Sequence, residues 1–311
     1  MTGESQIRIA VLLPCYNEEA AIARTVAEFR AALPGAIVYV YDNNSRDRTR
    51  EVAAEAGAVV RAERMQGKGN VVRRMFADVE ADVYVMADGD ATYDAAAAPA
   101  LVRRLVDEQL DMVVGARRSE VEEAYRRGHR LGNRLLTGML ARIFGRTFTD
   151  ILSGYRVFSR RFVKSFPALA RGFETETEIT VHALELAMPV AEVVTAYGAR
   201  PEGSHSKLST YRDGWRILRT ILHLFRIERP VLFYGGFAAL LAALAVVLAV
   251  PLVITYAHTH LVPRFPTAIL ATGLVIVAVI SFAVGLILDT VVRGRREVRR
   301  LFYLSFPAPG Q

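Results

Sequence analysis

The sequence predicts an α/β chain: a Rossmann-like, doubly wound, mainly parallel sheet, followed by an interfacial helix and a two-helix transmembrane hairpin. Three observations carry that expectation. From residue 7 to about residue 115, short apolar runs alternate with stretches of helical period, the pattern that builds parallel sheets covered by helices. Each run stops on a polar or glycine-containing cluster, as strands do where open α/β sheets hold ligands. Two blocks near the C-terminus, Val231–Tyr256 and Thr267–Leu288, contain no charged residue; a helix needs about 20 apolar residues to cross a bilayer.

The elements follow in order. Ile7–Leu13 is an apolar run of strand type, and Glu18–Leu33 spaces Ile22, Val26, Phe29 and Leu33 along one helix face until Pro34-Gly35 stops it. Ala36–Tyr41 is a second strand, Arg48–Ala56 a second helix and Ala58–Arg61 a third strand. Lys68–Val79 is helical, Val83–Ala87 a strand, Ala95–Glu108 helical and Met112–Gly115 a strand. Beyond Arg117 the pattern changes: Arg126–Phe144 predicts a long helix, Tyr155–Phe158 a strand, Glu176–Leu186 a helix and Val190–Tyr197 a strand, a second half expected to cap the sheet. Tyr211–Arg229 sets Arg212, Arg216, Arg219 and Arg226 near one face and Trp215, Leu218, Leu222 and Phe225 on another, as a helix lying in a membrane interface does. The expected organisation is a domain over 1–210, a juxtamembrane helix over 211–230, a hairpin over 231–289 with spans at 231–256 and 267–288, and a basic tail over 290–311.

Composition agrees with this division. Of 311 residues 52 % are hydrophobic, more than an average globular chain carries, and the excess sits in the two blocks. Arg226 and Arg229 precede them and Arg293, Arg295, Arg296, Arg299 and Arg300 follow, while the loop between holds one arginine. By the positive-inside rule both ends face the cytoplasm, so a multi-pass protein of the cytoplasmic membrane is expected, its N-terminal domain and C-terminal tail inside. The run Ile9–Leu13 is too short for a secretory signal. A lone Cys15 leaves no partner for an intrachain disulfide. The net charge of +7 suits an anionic membrane; no nucleic-acid motif appears, so nucleic acid is not an expected partner. Membrane hairpins often pack with copies of themselves, which leaves a homo-oligomer open.

The chemistry gathers at the strand ends. Pro14-Cys15-Tyr16-Asn17-Glu18 follows strand one, Asp42-Asn43-Asn44-Ser45 strand two, Gly67-Lys68-Gly69-Asn70 strand three, Asp88-Gly89-Asp90 strand four and Gly115-Ala116-Arg117-Arg118 strand five. Each alone reads equally as a turn or a helix cap. Five in succession on one sheet edge point to a shared site, and the paired carboxylates suit Mg²⁺ or Mn²⁺ holding a phosphate.

These motifs resemble the family 2 glycosyltransferases of GT-A fold, over residues 7–212. Pro14–Glu18 resembles the family's Pro-x-Tyr-Asn-Glu, Asp42–Ser45 its Asp-x-x-Ser and Asp88–Asp90 its Asp-x-Asp. The hairpin and two later segments, Asp150–Arg156 and Arg200–Lys207, resemble the polyprenyl-phosphate sugar transferases within it, such as dolichyl-phosphate mannose synthases and bactoprenol glucosyltransferases. The resemblance implies a nucleotide-sugar pocket of Pro14, Tyr16, Glu18, Asp42, Asn44, Lys68, Asp88 and Gly89. It implies a metal at Asp88 and Asp90, with Asp90 the direct ligand. It also implies a lipid-phosphate grip from Arg117, Arg130, Arg156 and Lys207, and a sugar-side acid at Glu176. Other readings stay open at four of these. Lys68 also fits a solvated helix start, Arg130 a surface charge, Arg156 a structural salt bridge, and Glu176 an acidic first helical turn. Where many bactoprenol enzymes continue Asp-x-Asp with Gln or His and then Pro, this chain has Ala91-Thr92-Tyr93-Asp94, which leaves the sugar open.

The expected reaction is metal-dependent, inverting transfer of one sugar from UDP-glucose or GDP-mannose to a polyprenyl phosphate. An anionic acceptor needs no strong base, and no Ser/His/Asp set is visible. A processive polysaccharide synthase would carry Gln-x-x-Arg-Trp, whereas the one tryptophan, Trp215, sits in Arg-Asp-Gly-Trp-Arg. A non-catalytic nucleotide-sugar binder would not need the acceptor arginines, and a scaffold without ligand would not need the clusters.

Overall fold

The structure is a computed structural model. It describes residues 7–118, 148–168, 174–198 and 225–310, with single positions at 138, 219, 222 and 223. The chain forms two compact units, Met1–Ile217 with Arg299–Gln311, and Leu218–Val298.

The first unit is built on a seven-stranded sheet. Its elements run β1 (Ile9–Cys15), α1 (Glu19–Ala32), β2 (Ile37–Asp42), α2 (Thr49–Glu55), β3 (Val59–Ala62), α3 (Lys68–Asp78), β4 (Val83–Met86), α4 (Ala98–Asp107), β5 (Met112–Arg118), β6 (Arg156–Ser159), α5 (Arg160–Ser165), α6 (Thr175–Glu185) and β7 (Val190–Ala196). The strand order is β3-β2-β1-β4-β6-β5-β7. All neighbours pair parallel except β6, which runs antiparallel between β4 and β5. The doubly wound α/β sheet is therefore present, but the second half does not cap it: β6 is inserted into it and β7 forms its edge. Periodicity reports burial and not order, so this insertion was invisible in the sequence.

Apolar burial explains the local choices. Val11, Leu13, Val83, Val85, Val113 and Val157 are buried on the strands, and Ile22, Val26 and Phe29 of α1 are buried with them. The expected helix Ala95–Glu108 is a 3-10 turn, Ala95–Ala97, followed by α4 with proline in its first turn. Pro99 lacks an N–H, and the first turn is where a helix does not need one. Helix α5 was not expected. Ser159 opens it by accepting from Phe162 N at 3.1 Å, so its signal was one cap and a single turn. The expected helix over Arg126–Phe144 and most of Tyr211–Arg229, including Trp215, lie outside the described residues.

The second unit holds most of two long helices, α7 (Pro230–Thr259) and α8 (Phe265–Leu304), both long and apolar enough to cross a membrane. Their buried side has small residues at intervals of seven: Ala238 and Ala245 on α7, and Ala271, Ala278, Gly285 and Val292 on α8. That interval is the signature of a left-handed pair, and small side chains let two backbones approach when no hydrophobic effect drives them together. A Cβ on Gly285 would sit 3.1 Å from Tyr234 Cβ and 3.4 Å from Pro230 O. The outward side is apolar and exposed, with Leu240, Val247, Val279 and Ile287 each above 60 %. Instead of a separate tail beginning at residue 290, α8 continues to Leu304.

Candidate active site

Because six strands run parallel, Cys15, Asp42, Ala62, Met86, Arg118 and Ala196 end them on one edge, and antiparallel β6 starts there at Arg156. Two of the expected clusters are fastened to each other. Asn17, at φ 53°, donates its N–H to Ser45 Oγ at 2.8 Å and accepts from Arg46 N at 2.8 Å, while Glu18 N donates to Thr49 Oγ1 at 2.9 Å. Pro14, Tyr16 and Glu18 thus share a wall with Asp42–Ser45. The Asp42 carboxylate is fully buried and accepts from Ser45 N and from Arg50 Nε at 2.6 Å.

The third cluster is held by asparagines. Asn43 donates to Glu63 O and Met65 O, both at 2.9 Å, and accepts from Gly67 N at 2.7 Å. Asn44, at φ 64°, donates to Arg64 O at 2.9 Å and to Gln66 Oε1 at 3.1 Å. Their amides hold the loop that precedes Lys68. The sequence reading did not single out Asn43; the doubled Asn after a strand-end Asp was the available signal. Asn44, expected against the nucleotide, holds this loop with its amide.

Lys68 is the centre of the site. Its ammonium is paired with Asp88 Oδ1 and lies 2.6 Å from Glu176 Oε1. Burial pulls its pKa down, but Asp88 and Glu176 outweigh that and hold it above the usual lysine value. The solvated helix start is thereby excluded for Lys68, and Glu176 is more than a first-turn acid: it enters the site from α6 as the second counter-ion. The loop before β6 closes over this pair. A Cβ on Gly154 would lie 2.8 Å from Asp88 Oδ2 and 3.2 Å from Lys68 Nζ, and Gly154 N donates to the Tyr93 hydroxyl at 2.9 Å. Tyr93, also not singled out in the sequence, is buried, and burial raises its pKa; it stays a neutral phenol.

Asp90 is buried two residues on, its Oδ1 accepting from Thr92 Oγ1 at 2.6 Å and from Thr92 N. Between the two acids, Gly89 packs so closely that a Cβ there would overlap Cys15 Sγ. Among the described residues no three His, Cys, Asp or Glu side chains form a metal cage. Two carboxylates on one turn nevertheless fit Mg²⁺ or Mn²⁺, which usually keep water and substrate-phosphate oxygens in the rest of an octahedral shell.

The expected phosphate grip is not assembled among the described residues. Arg156 is fully buried, donating to Ser153 O at 2.9 Å, Thr180 Oγ1 at 2.9 Å and Ile151 O at 2.5 Å. Burial lowers its pKa to about 10. This arginine braces the β6 loop through these bonds, and among the described residues it forms no salt bridge. Arg117 lies within β5, since that strand runs on to Arg118, and forks Asp150 at 2.6 and 2.8 Å with Tyr197 beneath it at 5.6 Å. Arg130 and Lys207 lie outside the described residues.

A GT-A-like sheet with acidic residues at its carboxyl edge defines a class, and comparison with known proteins gives the family. Residues 10–166 match Glycosyl transferase family 2. The glycosyltransferase AglJ of Haloferax volcanii is 36 % identical over 246 residues, covering 78 % of this chain and 80 % of that protein. A dolichyl-phosphate hexose transferase of the same organism is 27 % identical over 221 residues, covering 71 % and 95 %. Glucosyl-3-phosphoglycerate synthase from Mycobacterium tuberculosis, solved with Mn²⁺, UDP-glucose and phosphoglyceric acid, superposes with a TM-score of 0.57 at 24 % identity, covering 71 % of this chain and 80 % of that one. This chain belongs to glycosyl transferase family 2 and is a glycosyltransferase.

Proposed function

We propose that this protein transfers one hexose from a nucleoside diphosphate, of the UDP-glucose or GDP-mannose type, to a polyprenyl phosphate at the cytoplasmic membrane, with inversion at the anomeric carbon. The observation that carries the reading is the Asp88–Lys68–Glu176 cluster beside buried Asp90, in one chain with two helices of membrane-spanning length. A relative named dolichyl-phosphate hexose transferase supports the lipid acceptor.

The fastened loops Pro14–Glu18 and Asp42–Ser45 receive the nucleoside, with Glu18 and Asp42 on its ribose and base. Asp88 and Asp90 would hold a divalent cation, which would supply Lewis-acid stabilisation of the departing diphosphate. Lys68 stands where that charge develops. Glu176 keeps the ammonium aimed there when Asp88 turns to other partners. The acceptor is already an anion, so the chain positions it and screens its charge; Arg130 and Lys207 are the cations assigned to that task. The two apolar helices anchor the chain in the bilayer, with the flanking arginines on the cytoplasmic side.

The test is direct. Purified protein is incubated with radiolabelled sugar nucleotides, Mg²⁺ or Mn²⁺ and undecaprenyl phosphate, and organic extraction reads which label becomes lipid-linked. Asp90→Ala lowers that product by about two orders of magnitude or more while the thermal transition stays in place. Near-normal transfer by this variant, or label that never enters the organic phase with any donor, refutes the reading.

A further inference from the structure

Arg156 is a buried cation whose partners are all neutral among the described residues. Its guanidinium reaches Ser153 O, Ile151 O, Thr180 Oγ1 and Met112 Sδ. Burying such a charge is costly, and an apolar side chain in the same space is often no worse for stability. What the charge secures is geometry, because its bonds join two parts of the site that come from different elements.

The first part is the loop before β6. Arg156 holds the carbonyls of Ile151 and Ser153. Ser153 Oγ donates to Gly115 O at 2.6 Å and accepts from Tyr155 N at 3.2 Å, and Gly154 N donates to the Tyr93 hydroxyl. Gly154 is thus held on both sides where it packs against Asp88 and Lys68. The second part is α6. Arg156 Nη1 donates to Thr180 Oγ1 at 2.9 Å, and Thr180 Oγ1 donates in turn to Glu176 O at 3.0 Å. Back-bonding of a threonine to the carbonyl four residues before it is ordinary in helices. Here the arginine takes up the hydroxyl as an acceptor, so its single proton is left directed at Glu176 O. The hydrogen-bonded chain runs from a buried charge to the backbone of the residue whose carboxylate meets Lys68.

We propose that Arg156 is a positioning residue for sugar transfer, fixing the Gly154 loop and the Glu176 turn of α6 relative to each other so that Lys68 keeps one place between Asp88 and Glu176. It acts through Gly154 and Glu176 and not by contact with substrate. The loops Pro14–Glu18 and Asp42–Ser45 are fastened to each other without it. Arg156 therefore acts on the rate of transfer and not on donor binding, and only this kinetic effect rests on the function proposed above.

The experiment compares the full chain in nanodiscs as wild type, Thr180→Val and Thr180→Ser. Valine replaces the hydroxyl by a methyl group, and serine keeps the hydroxyl. Hydrogen exchange read by mass spectrometry is expected to rise in Thr180→Val over residues 150–158 and 174–182, to stay at the wild-type level over β1 to β3, and to be protected again in Thr180→Ser. In the lipid-transfer assay Thr180→Val is expected to lower kcat about tenfold, the scale of loss from a small misplacement, with donor KM within about twofold; Thr180→Ser recovers most of the rate. Arg156→Lys, which keeps the charge and loses the planar fork, is expected to lower kcat in the same way. Wild-type exchange or wild-type kcat in Thr180→Val overturns the proposal. So does an equal loss in Thr180→Val and Thr180→Ser, a parallel rise in donor KM, or wild-type turnover by Arg156→Lys. Exchange is read without any sugar transfer, so a protein that used another acceptor would fail the earlier assay and still pass this one.

Discussion

Lys68 holds two acids, Asp88 and Glu176, that lie far apart in the chain and would repel each other without it. Its ammonium offsets one of their two charges, so the cluster stays acidic, as a site that would receive a divalent cation together with a diphosphate has to be. Gly89 shows a different constraint. The Asp-Gly-Asp turn reads as ligand chemistry in sequence, yet its glycine is required by packing, because a methyl group would overlap Cys15 Sγ. Gly89→Ala should therefore destabilise the first unit by about 1–3 kcal/mol, as overpacking does. Cys15→Ala in the same chain should restore most of the loss, since it removes the obstructing sulfur. A double-mutant cycle by chemical denaturation measures the coupling; strictly additive losses would show that Gly89 serves something other than this contact.

At the scale of elements, α6 carries the site's Glu176 at its start and a buried histidine near its end. His182 is packed edge-on against Phe162 and Phe166, with Nε2 3.1 Å from Ser165 Oγ. Among the described residues its Nδ1 finds no hydrogen-bond partner. Burial, then the charge of Arg299, lowers its pKa from 6.5 to about 3. The sign follows from proton counting. Between about pH 6.5 and pH 3 the unfolded chain binds a proton that the folded one refuses, so acidification favours unfolding. The loss is at most about 1.4 kcal/mol per pH unit for one such group. His182→Gln should flatten the fall of melting temperature between pH 6.5 and 4.5 while the values at pH 8 stay close. Equal acid slopes in the two proteins would show that other groups govern the response.

Across the whole molecule, the first unit is assembled from both ends of the sequence. A fragment ending at residue 217 should lose the Tyr303–Asp111 bond and the Arg299–Glu185 pair. It should melt earlier than a chain in which residues 218–298 are replaced by a flexible linker and 299–311 are kept. The expected difference is about 1–3 kcal/mol, the penalty for an abandoned bond to a buried carboxylate. Identical melting of the two proteins would mean that the C-terminal segment adds nothing to the unit.

The α/β class, the strands from β1 to β5 and the two apolar helices were legible in the sequence because each rests on local periodicity, and a strand or helix face is written within about ten residues. Family membership was legible for a related reason: Pro14–Glu18, Asp42–Ser45 and Asp88–Asp90 are contiguous motifs. What crosses the chain was not legible. The antiparallel insertion of β6, the meeting of Glu176 with Lys68, the burial of Arg156 against carbonyl groups and the return of Tyr303 to Asp111 all join residues distant in sequence. No local pattern encodes such meetings. They are decided when the sheet closes and each buried charge has to find a partner.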